Sequence, residues 1–248
     1  MAEDITNTVQ NEVAQQPQSL AAEAKPKRRA RKREEPKTEA QDKDIFMSSS
    51  VMLFNRYPYD AEVYDPSLRN YINLKPVAYP NSYGRKSQSQ FHKANLSIIE
   101  RLENSLMRGG TGGKIGGKVI RTKGRMQGKK MKAAKTVMEA FDMINKQTGK
   151  NPLQVYIQAL ENAAPIEDTT RVRYGGIISN VAVDVSASRR LDIALRNIGM
   201  AAVTGAFHSK RTLSAALANE LIMAANNDVN SYAIKRKNET ERMARSAK

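Results

Sequence analysis

The chain has 248 residues, of which 41 are lysine or arginine and 25 are acidic, so its formal net charge is +16. It has no cysteine, which excludes disulfides and thiolate chemistry and fits a reducing compartment. No stretch approaches the roughly 18 apolar residues of a membrane span, and the N-terminus lacks the apolar core of a signal peptide, so we expect a soluble intracellular protein.

The first 44 residues differ in composition from the rest of the chain. They contain no aromatic residue, and their 9 basic residues balance 9 acidic ones. Such a segment buries too little apolar surface to offset its chain entropy, so we predict a disordered tail at 1–44 and a folded domain at 45–248. A basic block at 25–33 is either an RNA-contacting arm or a charged tail or import-like signal.

The folded domain carries the whole net charge, because the tail is neutral. A field of this size attracts polyanions at long range. We favour nucleic acid over a membrane as the partner, and the alternative is that the lysines and arginines serve solubility alone.

Residues 45–96 combine many aromatic residues with prolines at 58, 66, 76 and 80, so long helices are not expected there. Arg85, Lys86 and Lys93 are candidate RNA-binding residues, and several tyrosines stand near them in sequence. These tyrosines either stack on bases or pack the irregular segment onto the helices that follow.

A helix is predicted after Ser97. The spacing Ser97-x-x-Glu100 is that of a capping box, and glycines from Gly109 onward end the helix. Aliphatic residues recur every four positions on one face, namely Ile98, Leu102 and Leu106.

The segment 108–135 contains ten basic residues and no acidic one. We interpret it as a loop that runs into a helix and lies on a phosphate backbone, with Arg108, Lys129, Lys130 and Lys132 as candidate RNA-binding residues; the alternative is an idle surface loop. The spacing Gly112-x4-Gly117-Lys118 resembles a nucleotide-binding loop, but Val119 stands where magnesium binding needs Ser or Thr. The sequence therefore argues against nucleotide hydrolysis.

Two amphipathic helices are predicted next. The first, at 130–147, ends at Gly149 and turns five residues inward: Ala134, Val137, Met138, Phe141 and Ile144. The second begins with Asn151 as N-cap and Pro152 at the first helical position, and it ends at Pro165. Its buried stripe is Leu153, Tyr156 or Ile157, Leu160 and Ala163.

Residues 169–185 predict a single β-hairpin in a chain that is otherwise helical. Two β-branched runs flank Gly175-Gly176, a pair that supplies the positive φ angles of a tight turn. Side chains alternate along a strand, so the first strand has an apolar face with Val172 and Tyr174 and a basic face with Arg171 and Arg173. A lone hairpin is marginal in water, so we expect it to lean on the helices or on a partner.

Three more helices complete the domain. Ser186 caps the first, which turns Leu191, Ala194, Leu195 and Ile198 inward and Arg189, Arg190 and Arg196 outward. Lys210 and Arg211 lead into the second, which is capped by Thr212 and has Leu213, Leu217 and Leu221 at intervals of four. Asn227 or Asp228 starts the last helix, which is polar nearly all round and has Lys235/Glu239 and Lys237/Glu241 pairs.

No arrangement of residues indicates catalysis. The two histidines, His92 and His208, are far apart, and neither stands at a spacing typical of metal ligands. There is also no nucleophile motif. We therefore predict a protein that is not an enzyme and that needs no cofactor and no metal; the alternative is a site built from residues that are distant in sequence.

Several long motifs occur in a fixed order along the domain: RNYINLKPV, GRKSQSQFHKANLSIIERLENSLM, NPLQVYIQALENAAPIEDTTRVRYGGIISNVAVDVSASRRLDIALRNI, ANELIMAANN and SYAIKRKNETERMARSAK. On these motifs the chain resembles the family of protein seven of the small ribosomal subunit, in its archaeal-type form. The likeness extends from residue 45 to the end and is densest from residue 150 onward.

The resemblance implies a mainly α fold, with a single domain of about six helices and one protruding hairpin. It implies a structural constituent of the small subunit that binds the head domain of the small-subunit rRNA and helps nucleate head assembly. The hairpin would reach the exit site, near mRNA and tRNA, beside neighbouring small-subunit proteins such as protein eleven and protein nine. The implied location is the cytoplasmic ribosome, with no membrane.

The resemblance also implies particular RNA-binding residues. By position, those of the ribbon are Arg171, Arg173, Gly175 and Gly176, and those of the helices are Arg189, Arg190, Lys235, Arg236, Lys237, Arg242 and Arg245. We add Lys210 and Arg211 for their charge. Two other classes share the basic helical character and stay open at this point, a DNA-binding or chromatin-type protein and a helical protein–protein adaptor.

Overall fold

The structure is a computed structural model that describes residues 51–85, 89–108, 119–120 and 126–247, all within the compact unit Lys43–Lys248. The predictions for the tail at 1–44 and its basic block, for Lys86 and for the loop spacing at 112–118 lie outside these ranges. Within them, no helix is both long and apolar enough to cross a membrane.

Seven α-helices and one two-stranded antiparallel sheet make up the described part of the chain. In chain order, the helices are α1 Pro66–Arg69, α2 Ile98–Arg108, α3 Lys130–Thr148, α4 Pro152–Ala163, α5 Ala187–Ala206, α6 Leu213–Ala225 and α7 Tyr232–Ser246. The strands β1 Glu167–Tyr174 and β2 Ile177–Asp184 lie between α4 and α5. The predicted mainly α fold with one hairpin is confirmed.

The hydrophobic core is centred on α6, which packs against α3, α4 and α5. Its sequence, LSAALANELIMAA, has one charged residue, and Leu217 and Leu221 are fully buried. Buried alanines next to these leucines in the helix, among them Ala218 and Ala224, let neighbouring helices approach closely. A helix that is apolar on several sides belongs in the interior of a bundle, and α6 occupies that place.

The signals around α3 and α4 act as predicted. Gly149 ends α3 in the left-handed region with φ of 65°, where glycine is strain-free. Asn151 then caps α4 by accepting a hydrogen bond from the backbone N–H of Leu153, and Pro152 takes the first helical position. The predicted stripe of α4 is fully buried, with Tyr156 and Ile157 both inside: Leu153, Tyr156, Ile157, Leu160 and Ala163.

The buried face of α3 differs slightly from the prediction. Val137, Phe141 and Ile144 are fully buried as expected. Ala134 and Met138 are only half-buried, because the face is centred on Ala133, Ala140 and their neighbours.

The predicted capping box of α2 is wrong, although the helix and its buried face are confirmed. The Ser97 hydroxyl is buried without a hydrogen-bond partner. Glu100 turns away from it, accepts hydrogen bonds from the N–H and the hydroxyl of Ser82, and forms an ion pair with Lys130 at the start of α3. These tertiary partners lie far from Glu100 in sequence and displace the local bond. Ser186 likewise occupies the N-cap position of α5 without a side-chain capping bond.

The last helix starts later than Asn227 or Asp228. The N-cap is Ser231, whose hydroxyl accepts a hydrogen bond from the N–H of Ile234 and donates one to buried Glu220 of α6 at 2.7 Å. The helix therefore begins where α6 supplies a partner.

The predicted pairs along α7 are also not formed. Arg236 pairs with Glu239, and Lys237 donates to the carbonyl of Asn162.

Candidate RNA interface

The hairpin presents two different faces to its surroundings. Arg171 lies opposite Asn180 in the register, and Val172 lies opposite Ser179. Side chains alternate along β1, and residues directly opposite each other in an antiparallel pair share a face. The predicted basic and apolar faces of β1 are therefore confirmed, and β2 adds Ile178, opposite Arg173, to the basic face. Every residue from 170 to 181 is exposed, and the outer half of the ribbon is therefore open on both faces.

The base of the hairpin is held by the helical body. α7 packs against both strands, and Glu241 accepts a hydrogen bond from the N–H of Ile166 at 3.2 Å. The N–H of Val185 donates to the carbonyl of Ile166 at 2.9 Å and closes the ribbon at its root. The expectation that the hairpin leans on the helices is confirmed for its base.

A groove of about 920 Å³ lies between α2 and α5, beside a 3-10 turn at His92–Asn95. We call it the basic groove, because its charged lining consists of Lys93, Arg101, Arg108, Arg189, Arg196 and one carboxylate, Asp192. Three predicted RNA-binding residues meet here from distant parts of the sequence, namely Lys93, Arg108 and Arg189.

The negative charge of the carboxylate in the basic groove is already balanced by two cations. Asp192 is paired with Arg101 at 2.9 Å and with Lys93 at 3.1 Å. Burial alone would raise its pKa, but the hydrogen bonds from Arg101 and Lys93 outweigh burial and lower the pKa below its ordinary value. Asp192 therefore stays ionised and fixes the two cations. Arg108, Arg189 and Arg196 remain exposed beside it.

Arg190 does not lie on the outside, and that prediction is wrong. Only 9% of the residue is exposed. Its guanidinium donates to the carbonyl of Pro165 at 3.2 Å, to the Ser67 hydroxyl, and to Asp65 at 2.9 Å. The side chain thus ties α5 to α1 and to the end of α4, and its three hydrogen bonds serve the fold. The sequence neighbour Arg189 points outward, with a side chain that is 67% exposed.

The basic residues of α7 divide into an exposed stripe and an engaged set. Lys235, Arg242 and Arg245 are exposed, and their spacing of seven and three places them along one side of the helix. Arg236 stacks on the Tyr232 ring at 5.5 Å and pairs with Glu239. Lys237 binds the carbonyl of Asn162 at the end of α4.

The other candidate cations do not join the basic groove. Lys130 is paired with buried Glu100. Lys132 lines a second groove of about 690 Å³, which is mainly apolar and includes Phe207 and Leu213. Four further candidates are exposed outside the linings of both grooves: Arg85, Lys129, Lys210 and Arg211. Gly175 and Gly176 form the hairpin turn, with φ of 56° and 85°.

Two of the five lysines and arginines that line the basic groove were not among the predicted RNA-binding residues. Arg196 follows Arg189 by seven positions, which places both on one face of α5, and this spacing could have found it. No sequence pattern marks Arg101. Its side chain is only 6% exposed, and it contributes to the groove by pairing with Asp192.

Comparisons with known proteins agree with this architecture. A family model described as ribosomal protein S7p/S5e matches residues 68–248. The small ribosomal subunit protein uS7 of the archaeon Cenarchaeum symbiosum (strain A) is 43% identical over 202 residues, which is 81% of this chain and 98% of that protein. The chain therefore belongs to the family of ribosomal protein S7p/S5e, whose role in the small subunit of the cytoplasmic ribosome is structural and not enzymatic.

Proposed function

We propose that this protein binds the head domain of the small-subunit rRNA and helps nucleate assembly of the head. The observation that carries the proposal is the basic groove, where exposed Arg108, Arg189 and Arg196 surround a carboxylate that is already paired. Folded RNA is gripped mainly through its shape and its phosphates, and phosphate contacts fix the register of the protein on the nucleic acid. A rigid groove lined by arginines suits that task.

The hairpin is proposed to reach the exit site, near mRNA and tRNA. Its basic face, with Arg171 and Arg173, suits contact with phosphates. Its apolar face, with Val172 and Tyr174 exposed at 42% and 86%, suits a neighbouring protein such as protein eleven. Protein nine is proposed as a second neighbour, and the exposed stripe of α7 is proposed to add RNA contacts.

Two observations separate this proposal from a DNA-binding protein and from a protein–protein adaptor. In a sucrose gradient of a low-salt lysate, we expect the protein to sediment with the small subunit, whereas an adaptor would stay at the top. At matched salt, we expect it to bind a transcript of the rRNA head domain more tightly than duplex DNA of equal length. Equal binding curves for the two nucleic acids would contradict the proposal.

Variants of the groove make the competition experiment specific. Replacing Arg189 and Arg196 with Gln should lower rRNA affinity and reduce the slope of log K against log salt by about one for each lost phosphate contact. The control replaces Lys146 and Lys150 with Gln and removes the same amount of charge. Both lysines are exposed and lie outside the groove lining. These control substitutions should leave the slope nearly unchanged.

A further inference from the structure

Phe91 is an exposed aromatic residue in an unfavourable backbone conformation. Its φ of 58° lies in the left-handed region, which bulky L residues rarely adopt. The residue is 76% exposed, and its ring contacts no other aromatic ring among the described residues. Neither burial nor ring pairing explains a phenylalanine here. Such outliers point to functional positions.

The turn that carries Phe91 is held firmly on the body. The Phe91 carbonyl accepts a hydrogen bond from the N–H of Ala94 at 3.0 Å. Lys93 pairs with Asp192 of α5 at 3.1 Å, and the carbonyl of Asn95 accepts from the Asn73 side chain at 2.7 Å. The ring therefore projects from an anchored turn. A preorganised contact costs less entropy on binding than a flexible one.

The position of Phe91 relative to the basic groove suggests what binds the ring. His92 and Lys93, the next two residues, belong to the groove lining. A strand whose phosphates lie along Arg189 and Arg196 would carry its bases past the edge of the groove. Proteins that recognise unpaired RNA stack bases on exposed aromatic rings beside such positive grooves.

We propose that Phe91 is a stacking platform for one unpaired base of the rRNA strand whose phosphates occupy the basic groove. This inference rests on the proposed rRNA binding and adds a specific contact to it. A neighbouring protein is the other kind of partner that an exposed ring accepts. The exposed cations of the basic groove favour RNA, because a protein surface would need matching carboxylates to cover them.

The test measures binding of the full chain to a transcript of the rRNA head domain, with three substitutions. Phe91→Leu keeps apolar bulk but loses the aromatic face, and we expect about a tenfold loss of affinity, within the range measured for base–aromatic stacking. Phe91→Trp should keep the affinity. Tyr64→Leu is the matched control, because Tyr64 is 68% exposed and lies outside the groove lining, and it should bind like the wild type.

Two further readouts assign the lost affinity to a base. Because stacking neutralises no phosphate, the salt slope of Phe91→Leu should equal that of the wild type. Chemical probing of the transcript should show one base that is protected by the wild type and by Phe91→Trp but reactive with Phe91→Leu.

The outcomes separate failure of this inference from failure of the proposed function. If the wild type binds the transcript no better than duplex DNA, the proposed function fails. If the wild type binds well and Phe91→Leu matches it in affinity and in base protection, the stacking platform is wrong. If Phe91→Leu binds the transcript normally but is lost from purified subunits, Phe91 contacts a protein and the inference is overturned.

Discussion

Glu103 on α2 is a buried carboxyl group whose two oxygens have no hydrogen-bond partner. The residue is 1% exposed. Burial raises its pKa to about 8, Lys130 opposes the rise, and Glu100 adds to it. An unpaired buried carboxylate is costly, whereas the protonated carboxylic acid carries no charge. The folded protein therefore retains a proton at Glu103 that the unfolded chain releases near pH 4.5.

This difference makes stability fall with pH. Because the folded-state pKa is raised, the folded state binds more protons than the unfolded state between about pH 4.5 and pH 8, and the free energy of unfolding decreases across that window. We expect Glu103→Gln to match the wild type at pH 4.5 and to exceed it above pH 8 by about 2 to 4 kcal/mol. Chemical unfolding at a series of pH values measures the gap. Parallel curves for the two proteins would show that Glu103 is ionised in the folded state at neutral pH.

Arg189 and Arg190 are adjacent arginines with opposite roles. Arg190→Met breaks the ion pair with half-buried Asp65 and the bond to the Pro165 carbonyl, and we expect it to lower the free energy of unfolding by about 2 to 3 kcal/mol. Arg189→Met removes an exposed cation whose nearest carboxylate, Asp168, is 3.8 Å away. It should change stability by less than about 0.5 kcal/mol.

RNA affinity should respond in the reverse order. Arg189→Met should weaken binding to the rRNA transcript, and Arg190→Met should bind normally at a temperature where it is folded. Thermal unfolding and filter binding on the same preparations check both effects. The assignment of Arg190 to the fold is contradicted if Arg190→Met keeps wild-type stability.

At the level of elements, substitutions in the outer half of the hairpin should change RNA binding without changing stability, because this half packs on nothing that the structure describes. Replacing Arg171 and Arg173 with Ala should change the melting temperature little, since both side chains are exposed. The same change should weaken rRNA binding and lower the salt slope by about one to two. A collapse of stability with intact RNA binding would mean that the two faces are assigned the wrong way round.

The opposite face of the ribbon supplies the control. Val172 and Val181 lie on the apolar face and are exposed at 42% and 41%. Replacing both with Thr keeps strand-forming residues and should leave the affinity for isolated rRNA unchanged.

The elements that the sequence predicted well are those set by local signals. α4 has its cap, its first proline and its buried stripe within one run of residues, and each acts locally. The hairpin turn is equally local, because Gly175 and Gly176 both need positive φ.

The predictions that failed depend on partners distant in sequence. Glu100 leaves its capping box for Ser82 and Lys130. Arg190 turns inward because it pairs with Asp65, which lies 125 positions upstream. Neither partner leaves a local pattern, and the basic groove stayed undetected as a unit for the same reason: it joins α2, α5 and the turn before α2.

For the whole molecule, charge is divided between two parts of the chain. The 9 basic and 9 acidic residues of 1–44 cancel, so 45–248 carries all of the +16. Long-range attraction depends on net charge, and the loss of affinity with salt depends on the number of phosphates neutralised. Deleting the electrically neutral segment 1–44 tests the long-range attraction and the salt dependence of the affinity separately.

Deleting residues 1–44 should therefore leave the association rate with the rRNA transcript unchanged at low salt, because the net charge stays at +16. The salt slope tests the basic block at 25–33 separately, since seven cations concentrated there would neutralise phosphates if they lay on RNA. We expect the slopes of the full chain and of 45–248 to agree within about one, because the acidic residues of the tail compete for its own cations. Stopped-flow association and equilibrium titrations at several salt concentrations measure both quantities. A slope that falls by several units on deletion would identify the block as an RNA-binding arm and would move part of the interface out of the folded domain.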